Sequence, residues 1–279
     1  MKTTNGKKRT RWVWVLVLIL CLGIVGSGGG WLAWYYFKPQ EDLSQFRSPT
    51  ILTPSVQQHP DQSGTTPDLD SPGLADISDE PLPDNPVDFY GLWQINEDVI
   101  AWIVVPGTDI DLPVMMTKFE VNDNWYLHRN IRGSYDYKGC LYVQKLNEKD
   151  FSDPVTVIYG HNMLDTTMFS NLTLFQDPQF FADHDTFTVY IPGHILTYTI
   201  VSAHQYEKKH ILNSFDFSQK DVLQEYVNIV LSPPAVMANV REGVSVTTDD
   251  RIVTLSTCIE HGRYRYLVQG VLTNDQRTN

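Results

Sequence analysis

Hydrophobic and polar positions divide the chain into three parts. Residues 12–37 form an uncharged and mostly apolar run, and about 20 such residues suffice to cross a bilayer core. Residues 38–86 are rich in Pro, Gln, Ser, Thr and Asp and poor in apolar positions, so they cannot bury enough surface to offset the entropy lost on ordering. Short β-type runs separated by turn residues fill residues 87–275. The pattern predicts a membrane span, a disordered stalk and one folded domain.

The folded domain is predicted to be mainly β. Eight runs have the length and the β-branched or aromatic content of strands. These runs are residues 101–105, 111–115, 139–144, 155–159, 186–191, 197–206, 252–258 and 264–272. Their number and irregular spacing indicate a closed or nearly closed eight-stranded barrel.

Two helices are predicted to accompany these strands. Phe89, Leu92, Trp93 and Ile95 have the spacing of one helical face, which predicts a helix at the start of the domain. A second apolar stripe at helical spacing predicts a helix at residues 218–232, with Ser218 and Asp221 as a capping box. This stripe is expected to pack against the core, just before the last pair of strands.

Charge changes the picture at the N-terminus. Basic residues crowd residues 1–11, and the positive-inside rule then places this tail in the cytoplasm and everything after residue 37 outside the cell. The expected localisation is the cell membrane, as a single-pass protein with an extracellular domain. A cleaved signal peptide is the alternative, because residues 26–30 are small enough for a peptidase. The formal net charge of -12 argues against a nucleic-acid partner.

A thiol stands where the strand at residues 252–258 gives way to a loop. Cys258 is thereby held rigidly yet remains reachable, as a nucleophile requires. Cys140 is the other cysteine beyond the apolar run; a disulfide between the two is formally allowed, although exported proteins that rely on disulfides usually carry more cysteines. Cys140 lies in a predicted strand and is expected to be buried.

Two further residues complete the chemistry that Cys258 needs. His161 follows the end of the strand at residues 155–159, and an imidazole near its own pKa can exchange a proton with a thiol. A two-residue hairpin turn at residues 261–262 would set Cys258 opposite Arg265, within reach of an oxyanion, and leave Arg263 in an ion pair with Glu260. Arg263 stays open as the alternative arginine.

Other histidines suggest less specific roles. Cys258 and His261 form half of a zinc-type pair, but no matching second half is present in the sequence, so no metal site is predicted. The remaining histidines of the domain lack comparable context and are expected at the surface. They are His128, His184, His194, His204 and His210.

The motifs around these residues resemble those of the sortase family. The cysteine motif T-L-S-T-C covers residues 254–258, Y-G-H-N-M covers residues 159–163, and an arginine follows shortly. Residues 96–103 and 108–115 are similar to the class B branch, as is a helix inserted before the cysteine strand. The resemblance spans residues 87–272, almost the whole predicted domain.

The resemblance implies a membrane-anchored cysteine transpeptidase on the surface of a Gram-positive cell. Cys258 would attack the peptide bond of a C-terminal sorting signal, His161 would protonate the leaving amine, and Arg265 would hold substrate and oxyanion. Their motif neighbours Thr257, Ser256 and Asn162 are assigned to substrate binding. No cofactor and no metal are implied.

The second substrate of such an enzyme stays open. An amine of a peptidoglycan precursor or a pilin lysine would resolve the thioester, so the partners are surface proteins or pilins together with that amine. A plain thiol hydrolase and a non-catalytic surface binding module are the other two hypotheses.

Overall fold

The computed structural model describes residues 23, 29–30, 42–47, 82–118 and 120–279. The chain divides into two units, residues 1–42 and residues 43–279, and the second is the folded domain. The predicted tail at residues 1–11 and nearly all of the predicted span at residues 12–37 lie outside the described residues. Within the described ranges, no helix has both the length and the apolar character needed to cross a membrane.

Nine strands and four short α-helices make up the domain as described. The helices are α1 Phe89–Ile95, α2 Pro178–Asp183, α3 Ile211–Ser214 and α4 Lys220–Leu231. The strands are β1 Val99–Val104, β2 Asp111–Met115, β3 Leu141–Val143, β4 Val155–Tyr159, β5 Thr186–Ile191, β6 His194–Glu207, β7 Ala238–Val240, β8 Ile252–Ile259 and β9 Tyr264–Arg277. All eight predicted strands are present, and β7 was not predicted.

Eight of these strands close into a barrel. They follow the order β5-β1-β2-β3-β4-β8-β9-β6, and a further pairing of β6 with β5 closes the ring. β7 lies outside the ring and pairs with β6. Closure removes the unpaired edges that an open sheet would expose. The predicted eight-stranded barrel is confirmed.

The barrel strands are buried on both faces. Along β1, Ala101 and Ile103 point into the barrel core, while Trp102 packs outside with α1. The outer face of β4, β8 and β9 is covered instead by α4. Strands enclosed in this way read as continuous apolar runs rather than as an alternation of apolar and polar residues.

The folded domain is longer than predicted at both ends. Phe46 and Arg47 precede the predicted boundary at Val87, yet Arg47 pairs with Val87, and the Phe46 carbonyl accepts from the Asp88 amide at 2.8 Å. At the other end, the Asn279 amide donates to the Pro83 carbonyl at 3.0 Å. Residues 43–47 and 82–86, which fall within the predicted stalk at 38–86, are therefore part of the folded domain, and the domain extends beyond residue 275. The rest of the stalk lies outside the described residues.

Helix α4 agrees with its prediction except at its first turn. Its buried side chains pack against the barrel, as expected for the apolar stripe: Leu223, Tyr226, Val227 and Val230. The capping box is wrong, because Gln219 is the N-cap without a side-chain hydrogen bond and the Ser218 hydroxyl donates to Asp216 instead, at 2.6 Å.

Candidate active site

Cys258 stands at the open end of a strand that is paired on both sides. β8 pairs in parallel with β4 and antiparallel with β9. Every residue of β8 from Ile252 to Thr257 is buried, whereas Cys258 is partly exposed and its thiol is free. The two ladders hold the backbone of Cys258 while its sulfur stays within reach of solvent.

His161 reaches the same end of the barrel through β4. The last pair of that ladder is Tyr159 with Ser256, so His161 and Cys258 each lie two residues further along. The Gly160 amide donates to the Ser256 carbonyl at 3.1 Å, and the Thr257 hydroxyl donates to the Gly160 carbonyl at 2.9 Å. These bonds extend the ladder past β4, so the predicted meeting of two strand ends at the rim is confirmed.

Only glycine fits at position 160. A Cβ there would lie 2.5 Å from a Leu141 side-chain carbon and 2.8 Å from the Phe169 ring, which is closer than real Cβ contacts. The backbone therefore passes tightly over the core before turning outward at His161.

The imidazole of His161 is held by a backbone carbonyl. Nε2 donates to the Leu127 carbonyl at 2.8 Å, which leaves Nδ1 as the ring nitrogen that can take up a proton. Burial lowers the pKa of His161; the Leu127 carbonyl opposes this shift, and neighbouring His128 adds to it. The ring is therefore mostly neutral at pH 7.

Arg265 meets Cys258 across the β8–β9 hairpin. Cys258 pairs with Arg265 and Ile259 with Tyr264, which is the predicted register. Arg265 Nη1 donates to the Cys258 sulfur. Arg263 lies exposed in the turn and has no such contact. Of the two candidate arginines, the geometry selects Arg265.

The turn itself differs from its prediction. Glu260, His261 and Gly262 all have positive φ, at 49°, 56° and 79°, and the Arg263 amide donates to the Glu260 carbonyl at 3.2 Å. The turn thus takes four residues rather than two, and no ion pair joins Glu260 to Arg263 among the described residues. Because the longer turn is symmetric about the same centre, the Cys258–Arg265 register is unchanged.

The three residues assigned to substrate binding differ in exposure. Asn162 is exposed, and its side-chain amide donates to the Cys258 carbonyl at 2.9 Å. Thr257 and Ser256 are both buried, and Thr257 is engaged with Gly160. The structure therefore leaves Asn162 beside the thiol, whereas Thr257 and Ser256 offer little surface to a substrate.

Two tyrosines beside the thiol were not singled out from the sequence. Tyr142 pairs with Tyr159 across β3 and β4, with ring centroids 5.5 Å apart, and Tyr159 lies 6.0 Å from the His210 ring. Burial raises the pKa of Tyr142, and the positive charge of Arg265 opposes that shift. The phenol is therefore close enough to Arg265 to interact with it electrostatically. The position of Tyr159, two residues before His161 in the same strand, is the signal that could have identified it.

None of the five histidines expected at the surface is fully exposed: His204 is buried, and the other four are partly buried. His128 is partly buried, and its ring stacks on His161 with centroids 5.1 Å apart. His204 is fully buried in β6, and neither ring nitrogen has a hydrogen-bond partner in the described structure. Burial lowers the pKa of His204 to about 4. Both positions depend on which strands and loops become neighbours, so the local sequence did not reveal them.

The described residues contain no cluster of His, Cys, Asp and Glu that could hold a metal ion. What converges at the rim is a thiol, a guanidinium and a neutral imidazole. These are a nucleophile, a fixed positive charge and a proton acceptor, the groups that acyl transfer needs.

Comparisons with known proteins agree with this chemistry. The family model for the sortase domain matches residues 103–273. Sortase B of Listeria monocytogenes is 31% identical over 186 residues, covering 65% of this chain and 72% of that protein. Sortase B of Staphylococcus aureus is 27% identical over 170 residues, covering 61% of this chain and 67% of that protein.

Solved structures show the same relationship. The crystal structure of Clostridium perfringens sortase B has a TM-score of 0.59 and 31% identity, covering 66% of this chain and 99% of that one. Staphylococcus aureus sortase B has a TM-score of 0.60 and 25% identity, covering 69% of this chain and 89% of that one. The chain therefore belongs to the sortase family of cysteine transpeptidases, and its similarity is to the class B branch.

Proposed function

We propose that this sortase cleaves a C-terminal sorting signal through a thioester on Cys258 and transfers the protein to an amine of a cell-wall precursor. The contact between the Arg265 guanidinium and the Cys258 sulfur, at a rim that His161 also reaches, carries the proposal. A guanidinium stays charged at any working pH, so it supports negative charge on the sulfur and then on the oxyanion.

The first half-reaction forms the thioester. The Cys258 thiol loses its proton to Nδ1 of His161, the nitrogen that Leu127 leaves open, and the sulfur attacks the scissile carbonyl. The new C–S bond forms as the carbonyl oxygen takes up negative charge beside Arg265. Collapse of this intermediate breaks the C–N bond, and His161 returns its proton to the leaving amine.

The second half-reaction reverses these steps with a new amine. The amine attacks the thioester carbonyl, the C–N bond forms, and the C–S bond breaks to release Cys258. A pilin lysine would serve the same chemistry and defines the alternative, a pilin-polymerising enzyme. Water in place of the amine defines the thiol hydrolase.

We extend the proposal to the location of the enzyme. Residues 12–37 serve as an uncleaved signal anchor, the basic tail stays in the cytoplasm, and the catalytic domain lies outside the cell. This arrangement brings the active site to exported proteins and cell-wall precursors. A mature N-terminus near residue 30, found by sequencing the protein from membranes, would contradict it.

The proposed reaction is tested with a panel of sorting-signal peptides. The enzyme is expected to cleave one of them, to form an acyl-enzyme whose mass increases by that of the acyl fragment, and to turn over faster when an amine is added. Cys258→Ala should abolish the adduct and the cleavage. Cys140→Ala is the matched control, because this second cysteine of the domain is buried and should leave both intact.

The same assay separates the alternatives. Cleavage at a rate indifferent to added amine would favour the hydrolase over the transpeptidase. Failure of every peptide to acylate Cys258 would contradict both and favour a binding module.

A further inference from the structure

Three aromatic rings, those of His128, Tyr137 and His161, stack on one another, and a fourth, Tyr135, is tilted against His128. His128 lies 5.1 Å from His161, Tyr137 lies 6.1 Å from both histidines, and Tyr135 lies 6.3 Å from His128, centroid to centroid. The Tyr137 and His161 planes differ by only 10°. We call these four residues the ring stack; only His161 belongs to the reaction described above.

The ring stack leads from His161 to solvent. Tyr137 is 39% exposed and Tyr135 is 61% exposed, whereas the two histidines are partly buried. A tyrosine this exposed contributes little to a core. Two of them beside the imidazole of His161 form an exposed aromatic surface next to the reacting groups.

The loop that carries the two tyrosines is held in place. Arg129 and Tyr135 form an antiparallel bridge, and the Arg129 guanidinium donates to the Gly133 carbonyl at 3.1 Å. Lys138 then pairs with Asp165 at 2.5 Å, which ties this loop to the one that follows His161. Binding a ligand on such a loop costs little ordering entropy.

The charges around the tyrosines are largely engaged. Arg129 lies over the Trp125 ring, 3.7 Å from its centroid, and Lys138 is buried against Asp165. The Asp136 carboxylate accepts the Lys138 amide at 3.1 Å. Arg132 is exposed in the same loop. What Tyr135 and Tyr137 expose beside these groups is mainly aromatic surface.

An aromatic face attracts a cation, and the second substrate of a transpeptidase is one. A primary amine is an ammonium ion at neutral pH and must lose a proton before it can attack. A tyrosine face holds an ammonium group through its quadrupole, and the neutral His161 at the end of the ring stack can take that proton.

We propose that the exposed rings of Tyr135 and Tyr137 bind the acceptor, a peptide bearing a primary ammonium group, and guide its amine to His161. This inference rests on the proposed transpeptidase function. The ammonium gives one proton to His161 and its nitrogen bonds to the thioester carbonyl. The C–S bond breaks with its electron pair going to sulfur beside Arg265, and the second surplus proton leaves to solvent.

The test measures how the acyl-enzyme partitions between amine and water. The probes are triglycine, an Nα-acetyl-lysine amide peptide and hydroxylamine, which is small and largely uncharged at neutral pH. Tyr135→Ala is expected to lower the transfer-to-hydrolysis ratio about threefold with the peptide that the parent enzyme uses, and the double variant with Tyr137→Ala about tenfold. The ratio with hydroxylamine should stay within about twofold.

Two kinds of control keep the inference falsifiable. Tyr135→Phe and Tyr137→Phe keep the aromatic ring and should keep the ratio. Tyr90→Ala removes an even more exposed tyrosine from α1 and should not change the ratio. An unchanged ratio in the double alanine variant would overturn the inference, as would an equal loss with hydroxylamine.

Measurements on the unsubstituted enzyme separate a failure of the acceptor surface from a failure of the proposed thioester chemistry. An acyl-enzyme that neither peptide resolves faster than water would contradict the acceptor surface and leave the thioester chemistry standing. Failure to form any acyl-enzyme would contradict the proposed function itself, and the acceptor surface with it.

Discussion

Two polar rows cross the same outer face of the barrel and behave in opposite ways. One row is Tyr206, Arg265 and Cys258, and the other is Ser202, Gln269 and Thr254, each taken across β6, β9 and β8. Directly opposed residues share a face, so both rows point outward. In the first row Cys258 and Arg265 lie at the open rim and Tyr206 packs against the edge of the α4 cluster, whereas the second row lies under α4.

The difference between the rows lies in what covers them. In the covered row the Gln269 amide is fully engaged: it accepts from Ser202 at 3.1 Å and donates to the Tyr226 hydroxyl at 3.0 Å, and that hydroxyl lies 2.8 Å from the Thr254 hydroxyl. In the open row a guanidinium meets a thiol that solvent can reach. The same ladder supports a sealed network where a helix covers it and a reactive pair where none does.

The largest expected effect breaks the open row. Arg265→Ala should lower kcat/KM for the cleaved peptide by about 10² to 10³-fold, because the developing negative charge loses its fixed donor. Arg263→Ala is the matched control, since this arginine is exposed in the turn, and should change the value by less than about threefold. Thermal unfolding should show both variants folded. The reverse order of the two losses would contradict the assignment of Arg265.

The next effect breaks the covered row. Gln269→Ala should lower the free energy of unfolding by about 2–4 kcal/mol, because it leaves a cavity and removes the partner of Ser202. Gln224→Ala, at an exposed position of α4, should cost less than about 0.5 kcal/mol. Urea titration measures both. A Gln269 variant as stable as its control would show that the network does not stabilise the fold.

The smallest expected effect is a pH-dependent loss of stability through His204. His204 lies between the two rows, opposite Leu267, buried and with a pKa lowered from 6.5 to about 4 by that burial. The unfolded chain takes up a proton at His204 before the folded protein does, so stability is lost as the pH falls from about 6.5 toward 4. Between pH 7 and pH 5 the expected loss through this residue is about 2 kcal/mol.

Urea titration at the two pH values checks this expectation. His204→Phe should lose less stability between pH 7 and pH 5 than the parent protein, by about 2 kcal/mol. Comparing the change with pH, rather than the absolute stability, cancels the carboxylates that both proteins share. An identical change in the two proteins would show that His204 is protonated in the folded state without cost.

Most of the barrel could be predicted from local patterns. All eight barrel strands appear in sequence as short β-rich runs, although β6 and β9 are longer than predicted, at His194–Glu207 and Tyr264–Arg277. Most of their extra residues are polar, and they are ordered because the ends of the two strands pair with each other. The local sequence predicts that a strand is present, whereas the length of the strand depends on how far the neighbouring strand continues to pair with it.

The part of the candidate site that depends on local sequence could be predicted. Cys258 and His161 were predictable because one lies at the end of a strong strand and the other just past one, and Arg265 because a short hairpin leaves few registers. The sealing of Thr257 and Ser256 and the stacking of His128 on His161 were not predictable. Those features depend on contacts between segments far apart in sequence.

The strands, the candidate nucleophile and the family could be read from the sequence, because hydrophobic period and motif spacing are carried by neighbouring residues. Three features came only from the tertiary fold: His204 is buried with no hydrogen-bond partner among the described residues, residues 43–47 are part of the domain, and one polar row is sealed while the other stays open. The physical reason is that burial is a property of all segments that cover a side chain. A local stretch of sequence therefore does not specify which distant segments will pack over its side chains.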